Sequence, residues 1–331
     1  MSAAQNPRWF RARSRLGIGR KFAPSAVAAT MFLAIGTYGA FASPRHPDED
    51  QAIWESQYLV HQLASGDFRG RADDLFTDPH WDPRAYWALG SYTSTRLIYG
   101  LALTVTPRTH ATIRPYSYTD PSLQGPETRT DDLTLEVARL AGVLCAAMGI
   151  ALLGLRFRWA AVCAAAVLLL LPGGLGTFSR AWAEGPLLLA FGLCSAAYGT
   201  RWFALALGAG VTFKLTVLGL WPLIVLRRAR IMPLAYAAWA MLLTYVVLTP
   251  ASWFSGKGPL YILDQVRFRL SQYSGQSTHG AFFPSRYFWP FELAAVLLAA
   301  ELVKRVLVRR RQAYIAAQGS TVRGVGSAPR P

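Results

Sequence analysis

Long apolar runs recur along the chain between Phe22 and Leu307, without the polar interruptions every three or four residues that mark a helix resting on a soluble core. Residues 22–42 (FAPSAVAATMFLAIGTYGAFA) form the first run long enough to span a bilayer, and 133–155 (LTLEVARLAGVLCAAMGIALLGL) the next unambiguous one. Further spans are predicted at 159–178, 181–200, 231–250 and 288–308. The run 202–226 (WFALALGAGVTFKLTVLGLWPLIVL) contains Gly208, Gly210 and Lys214 and reads as two short helices with a break between them. The pattern therefore predicts an all-α polytopic membrane protein of about six full spans plus a broken helix pair.

Composition agrees with this reading: 53% of the 331 residues are hydrophobic and 16% charged. The net charge of +16 has a position that decides its meaning. Arg8, Arg11, Arg13, Arg15, Arg20 and Lys21 precede the first run, and Lys304, Arg305, Arg309, Arg310 and Arg311 follow the last. Such flanks mark the cytoplasmic side, so both termini are expected in the cytoplasm of a multi-pass plasma (inner) membrane protein. Anionic membrane lipid is the expected partner of this charge, not nucleic acid. The resulting division is a basic N-terminus at 1–21, a membrane module at 22–308, and a Gly/Ser/Pro-rich tail at 309–331 expected to be disordered. The rival for 22–42 is a cleaved signal peptide ending at Ala-Phe-Ala-Ser, but the preceding basic region is long for one.

On this threading residues 43–132 and 251–287 lie outside. The first segment holds thirteen of the eighteen acids against eight Arg, a net charge of −5. Within it, 85–103 (AYWALGSYTSTRLIYGLAL) is either an interfacial amphipathic helix or a further span; a span would carry Arg96 at its middle and put Arg156 and Arg158 outside. All five His (His46, His61, His80, His110 and His279) fall in the two outer loops. Cys145, Cys163 and Cys194 sit in apolar runs and form no disulfide or zinc pattern.

Acid collects just after the first run: Asp48, Glu49, Asp50, Glu55 and Asp67 lie within 46–70. Cations in or beside the membrane (Arg84, Arg139, Lys214 and a loop group including Arg286) are functional-site candidates by default. The motifs Pro-Asp-Glu-Asp (47–50) with LASGDF (63–68), DPRAYWALGSYTSTRLIYG (82–100), EVARLAGVL (136–144), AWAEGPLLLAFGL (181–193) and LGAGVTFKLTVLGLWPLIVL (207–226) occur in this order. Together they resemble the integral-membrane glycosyltransferases of the GT-C fold, in particular the branch of the lipid A aminoarabinose transferase and the protein O-mannosyltransferases. The family's juxtamembrane helix often opens on Lys-Pro or His-Pro-Pro, where this chain has Asp82, Pro83 and Arg84.

The resemblance implies a GT-C-like bundle whose large first outer loop bears interfacial helices, and an inverting transfer of a sugar from a polyprenyl-phosphate donor to a hydroxyl on a lipid, glycan or protein acceptor at the outer face. In that chemistry Asp48 is the base that takes the acceptor proton, and Glu49 orients it or the acceptor. Arg139, Lys214, Arg84, Arg286 and His279 are the candidates for the leaving phosphate. Each has a plainer reading: Arg139 snorkelling to the interface, Lys214 neutralising Glu184, His279 and Arg286 as ordinary loop residues. The branch implies no cofactor; a divalent metal on His46, Asp48, Glu49 and His80 is the weaker option. The competing classes are a transporter or lipid flippase, with charged residues lining a midplane path, and a non-catalytic scaffold.

Overall fold

The computed structural model describes residues 7–66, 92–109, 129–170, 173–198, 200–214, 217 and 231–250, with a few positions beyond (253, 260, 263, 303, 306–312 and 314); for 7–21 and 231–234 it describes the backbone alone. Every regular element among the described residues is helical, as the apolar pattern predicts. In chain order these are α1 (Pro7–Ala42), α2 (Pro47–Ser65), α3 (Thr93–Thr104), α4 (Asp132–Phe157), α5 (Trp159–Leu170), α6 (Gly174–Ser179), α7 (Glu184–Ala197), α8 (Phe203–Phe213) and α9 (Ile231–Leu248). The chain divides into two compact units, Met1–Arg286 and Tyr287–Pro331. The described part of the second is helical at 306–312 and exposed, and the span expected at 288–308 lies almost wholly outside the described residues.

Two stretches are long and apolar enough to cross a membrane: Phe22–Ala42 within α1, and α4. The other expected spans are shorter. Trp159–Leu170 stops where the sequence reaches Pro172-Gly173-Gly174, and Gly173 takes a left-handed φ of 79° before the short α6 begins. Glu184–Ala197 and Phe203–Phe213 are likewise apolar but short, so about six full spans is not what the described residues present. The break expected near Lys214 is present: α8 ends there in extended backbone, φ −166° and ψ 139°. The segment 85–103 is described from residue 92, and its helix α3 has 12 residues, about 18 Å at the usual rise.

Small residues set how the helices meet. α1 and α4 run antiparallel, with Gly36 against Val143 and Gly154 against Ser25. α4 and α7 run side by side in the same direction. Gly142 meets Gly185 and Gly149 meets Gly192 one heptad later, each pair so close that a Cβ would strike the opposing backbone. α9 lies on α8, where Gly208 abuts Met241 and Thr244. The bundle thus has two identifiable ends. At one, Arg156 of α4 donates to the Tyr198 carbonyl at 3.0 Å and stacks over its ring at 4.3 Å. At the other lie the end of α1, the head of α2, the head of α4 and the 180–183 turn, joined by contacts described below.

α2 and α3 pack against each other across Gly100, which sits on the Ser56 carbonyl and Val60. A buried cluster of Ile53, Tyr99, Leu103, Leu135, Ala138 and Ala181 fixes this pair to the bundle. Each large side chain so buried contributes about 1.5–3 kcal/mol.

Candidate functional site

The acids that open α2 have different fates, and local helix chemistry explains why they are there. A helix N-terminus presents unpaired N–H groups and a partial positive charge, which Asp and Glu in the first turn offset. Asp48, Glu49 and Asp50 occupy that turn.

Glu49 is fully buried and accepts four hydrogen bonds. Arg139 supplies two, from Nε at 2.8 Å and from an η nitrogen at 2.7 Å. The Ala181 N–H supplies a third at 2.9 Å and the His46 N–H a fourth at 3.0 Å. Arg139 spends its remaining N–H groups on the carbonyls of Ala40 (2.8 Å), Ser43 (2.9 Å) and Pro44 (3.2 Å). Those carbonyls end α1 and have no helical partner, so a cation is favoured beside them. A guanidinium has five donors. All five are used within the framework.

Asp50 is buried too and accepts the Thr130 N–H at 2.9 Å, tying α2 to the entry of α4. Arg45 donates to the Thr130 carbonyl and to Asp132 at 3.2 Å. Asp48 differs: its side chain is 37% exposed, and among the described residues its charged-group neighbour is His46 Nδ1 at 3.6 Å. One of the three carboxylates is therefore presented outward, on a scaffold made by its two neighbours.

Around it, the His46 ring meets Trp182 edge to face at 5.1 Å, and the Arg180 guanidinium lies over the Trp182 ring at 4.9 Å. Tyr99 donates its hydroxyl to the Trp182 carbonyl. Burial, and then Cys145, Glu184 and Glu49, push the Tyr99 phenol well above its ordinary value of 10.0. Two more buried ion pairs lie at this end, Glu55–Arg96 between α2 and α3, and Glu184–Lys214 at 2.7 Å between α7 and α8. Thr95 donates to the Phe213 carbonyl at 3.2 Å, so α3 also closes over the end of α8.

Measured against the sequence expectations, Asp48, Glu49 and Arg139 come together, but not in the expected roles. Arg139 serves Glu49 and the α1 carbonyls, the phosphate role expected of it having no counterpart among these contacts. Glu49 has its oxygen positions filled by framework donors. Lys214 has the plainer role weighed for it, pairing with Glu184. Arg84, Arg286 and His279 lie outside the described residues, as does His80. Among the described residues no three His, Cys, Asp or Glu side chains gather as a metal would require. Sequence reading missed Arg180 and Trp182, and gave Asp50 no part beyond the acid cluster. Arg180 had a visible signal, a lone cation in the turn between two apolar runs.

Comparison of the chain with protein-family models, with curated proteins and with solved structures gives no match.

Proposed function

We propose that this protein is a multi-pass membrane glycosyltransferase that moves a sugar from a polyprenyl-phosphate donor to a hydroxyl acceptor, with inversion, at the membrane face bearing Asp48. The observation that carries the reading is the division of labour in one helical turn: Glu49 and Asp50 are consumed by the framework while Asp48 remains half-exposed between His46 and solvent. A surface acid would not need two buried partners to fix its backbone. A general base does, because proton removal depends on position to within a fraction of an ångström.

In this reading the acceptor oxygen attacks the anomeric carbon as Asp48 takes its proton, and the carbon–oxygen bond to the phosphate breaks on the opposite face of the sugar. Polyprenyl phosphate departs with the bonding pair and needs no general acid. Since Arg139 and Lys214 are committed internally, the leaving charge falls to the remaining candidates of the resemblance, Arg84, Arg286 and His279. The resemblance of the ordered motifs to the GT-C branch supports this assignment, and so does membrane residence. Large apolar side chains stand exposed along α4 (Leu144, Met148 and Leu155) and α9 (Trp239, Leu243 and Val247), as lipid-facing helices require.

One observation favours the competing transport reading, the buried Glu184–Lys214 pair at a helix that stops inside an apolar segment. Asp48→Asn separates the two. With purified protein, polyprenyl-phosphate sugars and a hydroxyl acceptor, the enzyme reading predicts release of polyprenyl phosphate by wild type and a loss of about 10²–10⁴-fold in the variant. Unchanged release, or movement of intact donor across the membrane by both proteins, contradicts it.

A further inference from the structure

The end of the bundle opposite Asp48 carries two short turns, and each brings the same dipeptide to the start of an apolar helix: Arg158-Trp159 at α5 and Arg201-Trp202 at α8. All four side chains are exposed, Trp159 to 60% and Trp202 to 54%. Arg156 joins the turns. It donates to the Ser195 carbonyl at 3.4 Å and the Tyr198 carbonyl at 3.0 Å, and so holds the end of α7 against the end of α4. The α7–α8 turn is also fixed from within: Thr200 Oγ1 donates to the Ala197 carbonyl at 2.7 Å and accepts the Trp202 N–H at 3.1 Å, while Tyr198 meets Phe203 edge to face at 5.2 Å. The Arg201 guanidinium lies over the Trp202 ring at 5.0 Å. Arg158 has φ 54° and ψ −126°, a conformation that glycine adopts freely and arginine does not.

Charge at this end has one sign. Every described Asp and Glu lies on α2 or at the head of α4 or α7, so among the described residues Arg158 and Arg201 have no carboxylate at their own end. A guanidinium matches a phosphate group bidentately. An exposed indole suits the level just beneath it, with its apolar body among acyl chains and its N–H toward the headgroups. A soluble anion would use the arginines and leave both indoles in water; a phospholipid serves all four. We propose that the two Arg-Trp turns form a discrete site for an anionic phospholipid of the adjoining leaflet, with Arg158 and Arg201 on the headgroup phosphate and Trp159 and Trp202 against the glycerol and upper acyl chains. Such a site differs from the diffuse attraction expected of the basic termini, because Arg156 and Thr200 hold its parts in place. It rests on the membrane residence proposed above and not on the chemistry assigned to Asp48.

The test is native mass spectrometry of the full chain, released from detergent micelles doped with equal amounts of phosphatidylglycerol and phosphatidylcholine. Wild type should retain the anionic lipid over the zwitterionic one by about 30-fold, the combined strength of two cations at an anionic surface. Arg158→Gln/Arg201→Gln should retain the two lipids about equally, with an unchanged unfolding midpoint because both side chains are exposed. Arg309→Gln/Arg310→Gln removes the same charge from the exposed helical residues 306–312 and should keep the wild-type preference. Equal retention of the two lipids by wild type overturns the proposal. So does an equal loss of preference in both double variants, which makes the attraction diffuse, or displacement of the lipid by equimolar inorganic phosphate, which assigns the turns to a soluble anion. No arm uses a sugar donor. A protein that shows the preference but transfers no sugar keeps this site and loses the reading of Asp48.

Discussion

Replacing Glu49 by Gln keeps the shape of the side chain and removes its charge, leaving Arg139 buried beside a neutral group. Breaking one side of such a pair costs about 3–5 kcal/mol, and thermal unfolding in detergent should show a correspondingly large fall in midpoint. Arg139→Lys should fare little better, because three ammonium donors cannot replace five guanidinium ones in a fixed fork. Asp48→Asn should stay within about 0.5 kcal/mol of wild type in the same assay. Tyr99 adds a pH signature. Its phenol is raised by burial, so the folded protein holds that proton where the unfolded chain gives it up; the stability is complete below pH 10.0 and is lost as pH rises beyond it. Tyr99→Phe should remove that alkaline slope, read from unfolding midpoints on either side of pH 10.0. The sequence made Asp48, Glu49 and Arg139 visible as candidates but not their division of labour. An arginine inside an apolar run can serve a ligand or a buried carboxylate equally well. The choice depends on carbonyls of Ala40, Ser43 and Pro44, far away in the chain and supplied only by the α1–α4 register.

Among the elements, the α4–α7 contact is the one least able to give. A Cβ on Gly149 would come within 2.3 Å of the Leu188 carbonyl oxygen, and one on Gly192 within 2.5 Å of the Gly149 oxygen; both obstacles are backbone. Gly149→Val should therefore abolish a monodisperse folded species in size-exclusion chromatography. Gly66→Ala offers a control, since nothing lies near its Cβ and it should cost only about 1 kcal/mol for its left-handed φ. α1 and α4 were legible from length and hydropathy, and the end of α8 from its glycines and Lys214. The interruption after Leu170 also had its signal, Pro172 followed by two glycines, but a continuous apolar count passes over it. α2 was not read as a helix at all, because its pattern is half polar and its buried face includes Glu49, Asp50, Glu55 and Gln62. Burying charge on a helix face defeats a hydrophobic periodicity, and the partners Arg139 and Arg96 that make it tolerable lie in other elements.

At the largest scale, the described contacts of the first unit sort into one end built around Glu49 and another around Arg156, and the threading we propose from the basic flanks puts these on opposite sides of the membrane. Single cysteines at Asp132, whose side chain is 93% exposed, and at exposed Thr200 should react with an impermeant maleimide from opposite sides of sealed vesicles, in a background where exposed Cys163 is replaced by Ser. Labelling of both from the same side would remove the threading on which an outward-facing Asp48 depends. The proposed function places its chemistry on that carboxylate, so the most direct measurement follows the effect of Asp48 on the proposed donor. Lipid extracts of cells lacking the protein, analysed by mass spectrometry, should accumulate a polyprenyl-phosphate sugar that wild-type protein clears and Asp48→Asn does not. A lipid-linked sugar pool unchanged by loss of the protein, or cleared equally by the variant, would contradict the account.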